Sequence, residues 1–100
     1  MSSIPSEIVL YHAAKIALEQ NKPIMLHYYE DTKEGGTAFL GEDTETNEKI
    51  LVKNPDEYTS PVTKIFKAKD DYIIVTENYV YIVSGAIKKR QVHSEPQKLT

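Results

Sequence analysis

The stretch DDYIIVTENYVYIVSG, residues 70–85, constrains the fold most, because it is apolar on both of its faces. Two strands folded back across Glu77 and Asn78 would form a hairpin, and alternate residues of a strand point to opposite sides. One face would carry Ile73, Val75, Val80 and Ile82. The other would carry Tyr72, Ile74, Thr76, Tyr79, Tyr81 and Val83. A lone hairpin of this size cannot bury both faces, so something else must cover them.

A helix is predicted ahead of the hairpin, over residues 4–20, with Ser3 or Ser6 as its N-cap and Pro23 beyond its end. Its apolar residues fall on two separate faces. The wide face comprises Ile4, Ile8, Leu10, Tyr11, Ala14, Ala17 and Leu18. The smaller face comprises Val9, Ala13 and Ile16. Like the hairpin, this helix has more apolar surface than a single neighbour would cover.

Between the helix and the hairpin the apolar period changes to two, which predicts short strands within PIMLHYYE, GTAFLGE, EKILVK and VTKIFKA. The sequence therefore predicts an α+β domain over residues 1–85. In this domain the N-terminal helix packs on a strongly curved, mostly antiparallel sheet of about six strands, a meander that resembles a small barrel. Residues 86–100 are charged and lack periodicity, so we expect a loosely ordered C-terminal tail.

Composition and motif spacing argue against catalysis. The 100 residues include no cysteine, which removes disulfides and thiolate chemistry. The three histidines, His12, His27 and His93, do not have the spacing of a metal clamp, and no serine lies in a nucleophile elbow. The net charge of −3 gives no electrostatic reason for non-specific binding of nucleic acid. We predict a protein that is not an enzyme and has neither cofactor nor metal.

The surplus apolar surface instead predicts association. Contiguous apolar surface marks interaction sites, and the commonest soluble oligomers are two-fold homodimers. We therefore expect a homodimer, while the alternative that one chain covers both hairpin faces stays open. The predicted interface residues are Tyr72, Ile74, Tyr79, Tyr81, Val9 and Ile16.

The stretch GTAFLGEDTETNEKILV resembles the first signature of Sm-like RNA-binding proteins, in which a helix also precedes a curved sheet. Asp43 and Asn47 stand at the matching positions. The second signature would correspond to Val83, Ser84 and Gly85, with serine where that family has arginine. The resemblance implies RNA contact by Asp43, Asn47 and Gly85, and an Sm-like RNA-binding module is the alternative function.

Three longer runs carry a second resemblance: AAKIALEQNKPIMLHYYEDT, KILVKNPDEYTSPVTKIFK and YIIVTENYVYIVS. They are similar to small uncharacterised proteins of Marseillevirus-type large DNA viruses. This implies a viral protein, an adaptor that engages a host or virion protein. The sequence shows neither a secretory signal nor an apolar run of about 20 residues. We expect it in the host cytoplasm or nucleus, or in the virion, not secreted and not in a membrane.

Overall fold

The structure is a computed structural model and describes residues 4–92. Helix α1 spans Glu7–Gln20, and a short 3-10 helix spans Glu30–Thr32. The strands of this described part are β1 (Ile24–Met25), β2 (Phe39–Asp43), β3 (Lys49–Asn54), β4 (Glu57–Tyr58), β5 (Val62–Ala68), β6 (Asp71–Thr76), β7 (Val80–Ser84) and β8 (Lys88–Val92).

The described strands form two four-stranded sheets, the first in the order β1-β7-β6-β5 and the second in the order β4-β3-β2-β8. Both sheets are mixed, since β1 pairs with β7 and β8 pairs with β2 in parallel. Helix α1 packs on one face of the first sheet, and the second sheet packs on its other face. The α+β class is confirmed. The single curved sheet of about six strands is wrong, because the strands divide into two sheets that do not close on each other.

The predicted hairpin is confirmed as β6 and β7, with Ile74 opposite Tyr81 and Val75 opposite Val80. The turn closes where the Thr76 N–H donates to the Tyr79 carbonyl at 2.9 Å. Because β6 and β7 are the central strands of the first sheet, the hairpin lies in the middle layer of three.

Two clusters of buried side chains lie on either side of the hairpin. The cluster on the helix side comprises Val9, Ala13, Tyr29, Ala68, Ile73, Val75, Val80 and Ile82. The cluster between the sheets comprises Tyr28, Ala38, Leu40, Leu51, Ile74, Tyr81, Val83 and Ile87. We call these the helix-side core and the inter-sheet core. Each one covers one of the two apolar faces of the hairpin.

The chain passes from the first sheet to the second at Gly85, between β7 and β8. A Cβ atom here would overlap the carbonyl oxygen of Asp70, so a larger residue would displace this turn. The Gly85 N–H donates to the Asp71 carboxylate at 3.3 Å, and the Ile87 N–H donates to the Ser84 carbonyl at 3.1 Å. The turn lets Lys88–Val92 run parallel to β2.

Strand β8 lies in the segment for which a loose tail is predicted. Its residues pair in regular register with β2, from Lys88 opposite Phe39 to Val92 opposite Asp43. The sheet therefore extends to residue 92. Backbone hydrogen bonds to β2 hold this strand although its side chains are mainly charged. The remainder of the predicted tail, residues 93–100, lies outside the described residues.

Helix α1 begins at Glu7 rather than at residue 4. Ser6 occupies the N-cap position, with no hydrogen bond from its side chain to the helix. Asn21 ends the helix in the left-handed conformation, with φ of 57°, and the Lys22 N–H donates to the Ala17 carbonyl at 3.0 Å. Left-handed C-caps of this kind satisfy helix carbonyls that have no partner within the helix.

Candidate interaction surfaces

The tyrosine-bearing face of the hairpin lies inside the single chain. Ile74 and Tyr81 are only 1% and 5% exposed, and they pack with Leu40, Leu51 and Tyr28 in the inter-sheet core. The expectation that this face stays uncovered within one chain is therefore wrong. The second sheet covers it, which is the alternative that the sequence left open.

Val9 and Ile16, predicted interface residues on the helix, also face inward. Val9 is fully buried in the helix-side core, and Ile16 is half-buried against it. The smaller face of α1 packs on the first sheet, together with Leu10 and Ala17 of the wide face.

The remaining two interface candidates lie at the margin of the inter-sheet core. Tyr72 is half-buried, and the Nζ atom of Lys67 lies 5.1 Å from its ring centroid. Tyr79 is exposed and contacts Tyr81, with the ring centroids 5.9 Å apart. These two side chains alone of the hairpin tyrosines reach the surface.

Three tyrosines in the two cores have raised pKa values. Burial is the main cause for Tyr28 and Tyr29, whose pKa rises from 10.0 to about 12. For Tyr29 the hydrogen bond that its hydroxyl donates to Asp71, at 3.1 Å, adds to the increase. Burial also raises the pKa of Tyr81. These hydroxyls therefore hold their protons above the usual range of tyrosine.

The face of α1 that points away from the sheet carries large apolar side chains. Leu18 is 82% exposed, Tyr11 is 59% exposed and Ile8 is 49% exposed. Ile8 and Tyr11 are three residues apart, and Tyr11 and Leu18 are seven apart, a spacing that places residues on one side of a helix. With Glu7, Ala14 and Lys15, which are also exposed, they form what we call the outer helix face.

The outer helix face carries one charge of each sign. Glu7 lies in the first turn, and Lys15 lies two turns further on with its Nζ atom 6.0 Å from the Tyr11 ring centroid. An acidic residue at the N-terminus of a helix complements the helix dipole. The outer helix face therefore combines an apolar stripe with two opposite charges that are separated along the helix axis.

A second surface opens at one side of the two sheets. A cavity of about 290 Å³ lies between them, bordered by both edge strands, β5 and β8. Its apolar floor comprises Leu40, Ile65, Tyr72, Ile74 and Ile87. Its rim comprises Glu42, Lys49, Lys89, Arg90 and Gln91. We call this cavity the edge cleft.

Cations predominate on the rim of the edge cleft. The carboxylate of Glu42 lies 3.9 Å from the Nζ atom of Lys49, so its charge is largely balanced within the rim. Lys89 stands beside Leu40 in the pairing of β8 with β2, on the cleft side. The Arg90 guanidinium lies 4.9 Å from the Phe39 ring centroid. The cleft is thus apolar inside and positively charged around its opening.

Asp43 and Asn47, the candidate RNA contacts, build the turn between β2 and β3. The Asp43 carboxylate accepts from the N–H groups of Glu45, at 2.7 Å, and Thr46, at 3.1 Å. Asn47 adopts the left-handed conformation with φ of 65°. Aspartate and asparagine are favoured in such turns, so turn geometry explains both residue types. Gly85 likewise has the structural role described above.

Two further observations bear on the kind of protein. Among residues 4–92, no group of three or more His, Asp or Glu side chains is placed to hold a metal ion. Within the same range, no helix has the length and apolarity needed to cross a membrane.

Comparisons with known proteins add no further assignment: no family model, no curated protein and no solved structure matches this chain. The function must therefore be argued from the surfaces themselves. Sequence reasoning missed both surfaces. The i, i+3 and i+10 spacing of Ile8, Tyr11 and Leu18 was visible, but nothing in the sequence indicated which face of the helix would be exposed.

Proposed function

We propose that the protein is a non-enzymatic interaction module that self-associates as a homodimer through the outer helix face. The observation that carries this proposal is the 82% exposure of Leu18, in line with the exposed Tyr11 and Ile8. Burial of apolar area stabilises association by about 25 cal/mol per Å² before the costs of association are counted. A stripe of this kind on a regular helix is suited to pack against another helix.

The charges of the outer helix face favour a second copy of the chain as the partner that packs on it. In an antiparallel, two-fold arrangement centred on Tyr11, residues at equal distances before and after Tyr11 lie opposite each other. Glu7 of one copy then lies opposite Lys15 of the other, and Ile8 lies opposite Ala14. Leu18 lies opposite Ile4, which precedes the helix. Both charges find a partner of opposite sign, and the apolar residues meet each other.

Sedimentation velocity over a range of protein concentrations tests the proposal. We expect the wild-type chain to shift toward dimer as concentration rises. Leu18→Lys should shift it back to monomer, because the change places a charge in the contact. Tyr58→Lys is the matched control: Tyr58 is also exposed, at 63%, but lies on β4 in the second sheet. A dimer that Tyr58→Lys disrupts and Leu18→Lys leaves intact would contradict the proposal.

The pairing of Glu7 with Lys15 allows a sharper test. Lys15→Glu should weaken the dimer, because two carboxylates would then face each other across the contact. The double variant Glu7→Lys with Lys15→Glu should restore it, because opposite charges meet again. Restoration by the double variant separates a specific antiparallel pairing from non-specific adhesion of apolar surface.

The module would act as an adaptor that engages a host or virion protein, the role implied by the resemblance to Marseillevirus-type proteins. The alternative function, an Sm-like RNA-binding module, also stays a prediction. Binding of single-stranded RNA at low and at high salt tests it, since contacts to phosphate weaken steeply as salt rises.

A further inference from the structure

The edge cleft lies where both sheets end. Strand β5 is the last strand of the first sheet and β8 is the last strand of the second, and side chains from both strands border the cleft. A sandwich of two sheets normally fills the space between its faces with side chains. Here the space at this side is open, with Ile65 of β5 40% exposed above the buried Leu40 and Ile74.

Strand β5 offers a long edge to solvent. It spans Val62–Ala68, and its five middle residues are all exposed. One side of β5 pairs with β6, and its other side pairs with no strand among residues 4–92. The unpaired N–H and C=O groups of such an edge can pair with the backbone of another extended segment.

The charges on β5 and β8 determine which kind of segment can pair with the edge of β5. Lys64 and Lys67 lie on β5, and Lys89 lies across the cleft on β8. Lysines along an edge disfavour pairing with another lysine-rich edge, which disfavours two β5 strands adding to each other. The same lysines attract an acidic segment, although the chain as a whole carries a net charge of −3.

We propose that β5 and the edge cleft bind an extended acidic segment of a partner protein, which adds to the first sheet as a further strand. Its alternate side chains are apolar and enter the cleft over Ile65, Tyr72 and Ile74. The acidic side chains that alternate with them point to the opposite face of the sheet, where Lys64 of β5 lies. The volume of about 290 Å³ suits a few aliphatic side chains better than a large cofactor. This site is independent of the outer helix face.

Fluorescence anisotropy with a short labelled peptide of alternating valine and glutamate tests the proposal. We expect this peptide to bind the full chain, and to bind about tenfold more weakly when salt is raised well above physiological strength. A peptide of alternating valine and lysine, with equal apolar content, should not bind. Equal binding of the two peptides would overturn the charge selection.

A third peptide tests strand addition. It has the valine and glutamate sequence with methylated backbone nitrogens at alternate residues, so it keeps its side chains and loses backbone donors. We expect it to bind about tenfold more weakly or not at all, because the added strand needs those hydrogen bonds. Undiminished binding would overturn strand addition and favour simple attraction to the lysines.

Ile65→Thr and Ile8→Thr form a matched pair of variants, since both isoleucines are partly exposed, at 40% and 49%. We expect Ile65→Thr to weaken peptide binding about tenfold, and Ile8→Thr to leave it unchanged. Threonine retains the strand preference of isoleucine, so β5 should still form. Amide chemical shifts of the wild-type chain give an independent readout: changes along Val62–Ala68 support the proposal, and changes confined to α1 overturn it.

Discussion

The β6–β7 hairpin and helix α1 are both apolar on two faces, yet the described residues 4–92 cover both faces of the hairpin and only one face of the helix. The hairpin is the middle layer, with the helix on one side and the second sheet on the other. The helix is the outermost layer on its side. Surplus apolar residues in a sequence therefore favour association only where no further layer of the same chain follows, and among residues 4–92 no such layer covers the outer helix face.

The largest effect is expected from a charge placed in the covered face of the hairpin. Tyr81→Glu should unfold the chain or destabilise it by about 4 kcal/mol or more, because a carboxylate would replace a ring that is 5% exposed. The interface placement expected from the sequence would instead leave the fold intact. Far-UV circular dichroism with urea titration distinguishes the two outcomes, and a folded Tyr81→Glu variant would show that the second sheet does not cover this face.

The two hairpin faces should be equally sensitive to cavities. Ile82→Ala opens the helix-side core and Ile74→Ala opens the inter-sheet core, and both isoleucines are at most 1% exposed. We expect each substitution to lower the free energy of unfolding by about 3 kcal/mol. Urea titration of both variants measures this. A small loss for Ile74→Ala alone would mean that the second sheet packs loosely on the hairpin.

Alkaline pH should weaken both cores together. Tyr28 of the inter-sheet core and Tyr29 of the helix-side core have pKa values near 12 in the folded chain, against 10.0 for an ordinary tyrosine. The folded chain thus holds these protons more tightly, so this stabilisation is complete below pH 10 and is lost as pH rises through about 12. At pH 11 we expect a loss of about 1 kcal/mol for each tyrosine.

Urea titrations at pH 8, 10 and 11 measure this dependence. The Tyr29→Phe variant serves as a control, because it removes one of the titrating hydroxyls together with its hydrogen bond to Asp71. The variant should be less stable at pH 8 by about 1 kcal/mol and should lose less stability between pH 10 and 11. Stability that stays constant up to pH 11 would contradict burial of these tyrosines.

The smallest effect is expected on the uncovered helix face. Leu18→Lys should change the free energy of unfolding of the monomer by less than about 0.5 kcal/mol, because the side chain is already 82% exposed. Lysine is a good helix former, and a cation suits the last turn of a helix. Thermal unfolding at low protein concentration checks this, and a large destabilisation would mean that Leu18 packs within its own chain.

The parts of the fold that local pattern determines were predictable from the sequence. The alternation of residues 72–83 gives the pairing and the two faces of the hairpin, and the runs that became β2, β3 and β5 follow the same rule. What failed depends on contacts between distant residues. The HYYE segment reads as a strand, but it forms a turn that continues into the 3-10 helix Glu30–Thr32. The distant Ser84 N–H donates to the Thr32 hydroxyl of this helix at 2.9 Å.

Strand β8 and the packing face of α1 were unpredictable for the same reason. Lys88, Lys89 and Arg90 show no apolar alternation, and only the parallel partner β2 makes them a strand. Both faces of the helix are apolar, so the sequence does not indicate which one packs on the sheet. In the structure Val9 and Ala13 pack on the hairpin, whereas Tyr11 and Leu18 are exposed. The outer helix face is the surface that this packing leaves exposed.

Disulfide cross-linking distinguishes association through the outer helix face from association through another surface of the chain. The chain has no cysteine, so Tyr11→Cys and Tyr58→Cys each introduce a single thiol on an exposed site. In the proposed antiparallel pairing Tyr11 meets its own copy, within the roughly 4.4–6.8 Å between Cα atoms that a disulfide needs. Under mild oxidation we expect rapid formation of a covalent dimer by Tyr11→Cys and little by Tyr58→Cys. Equal rates, or faster linkage through Tyr58→Cys, would show that the outer helix face is not the dimer contact.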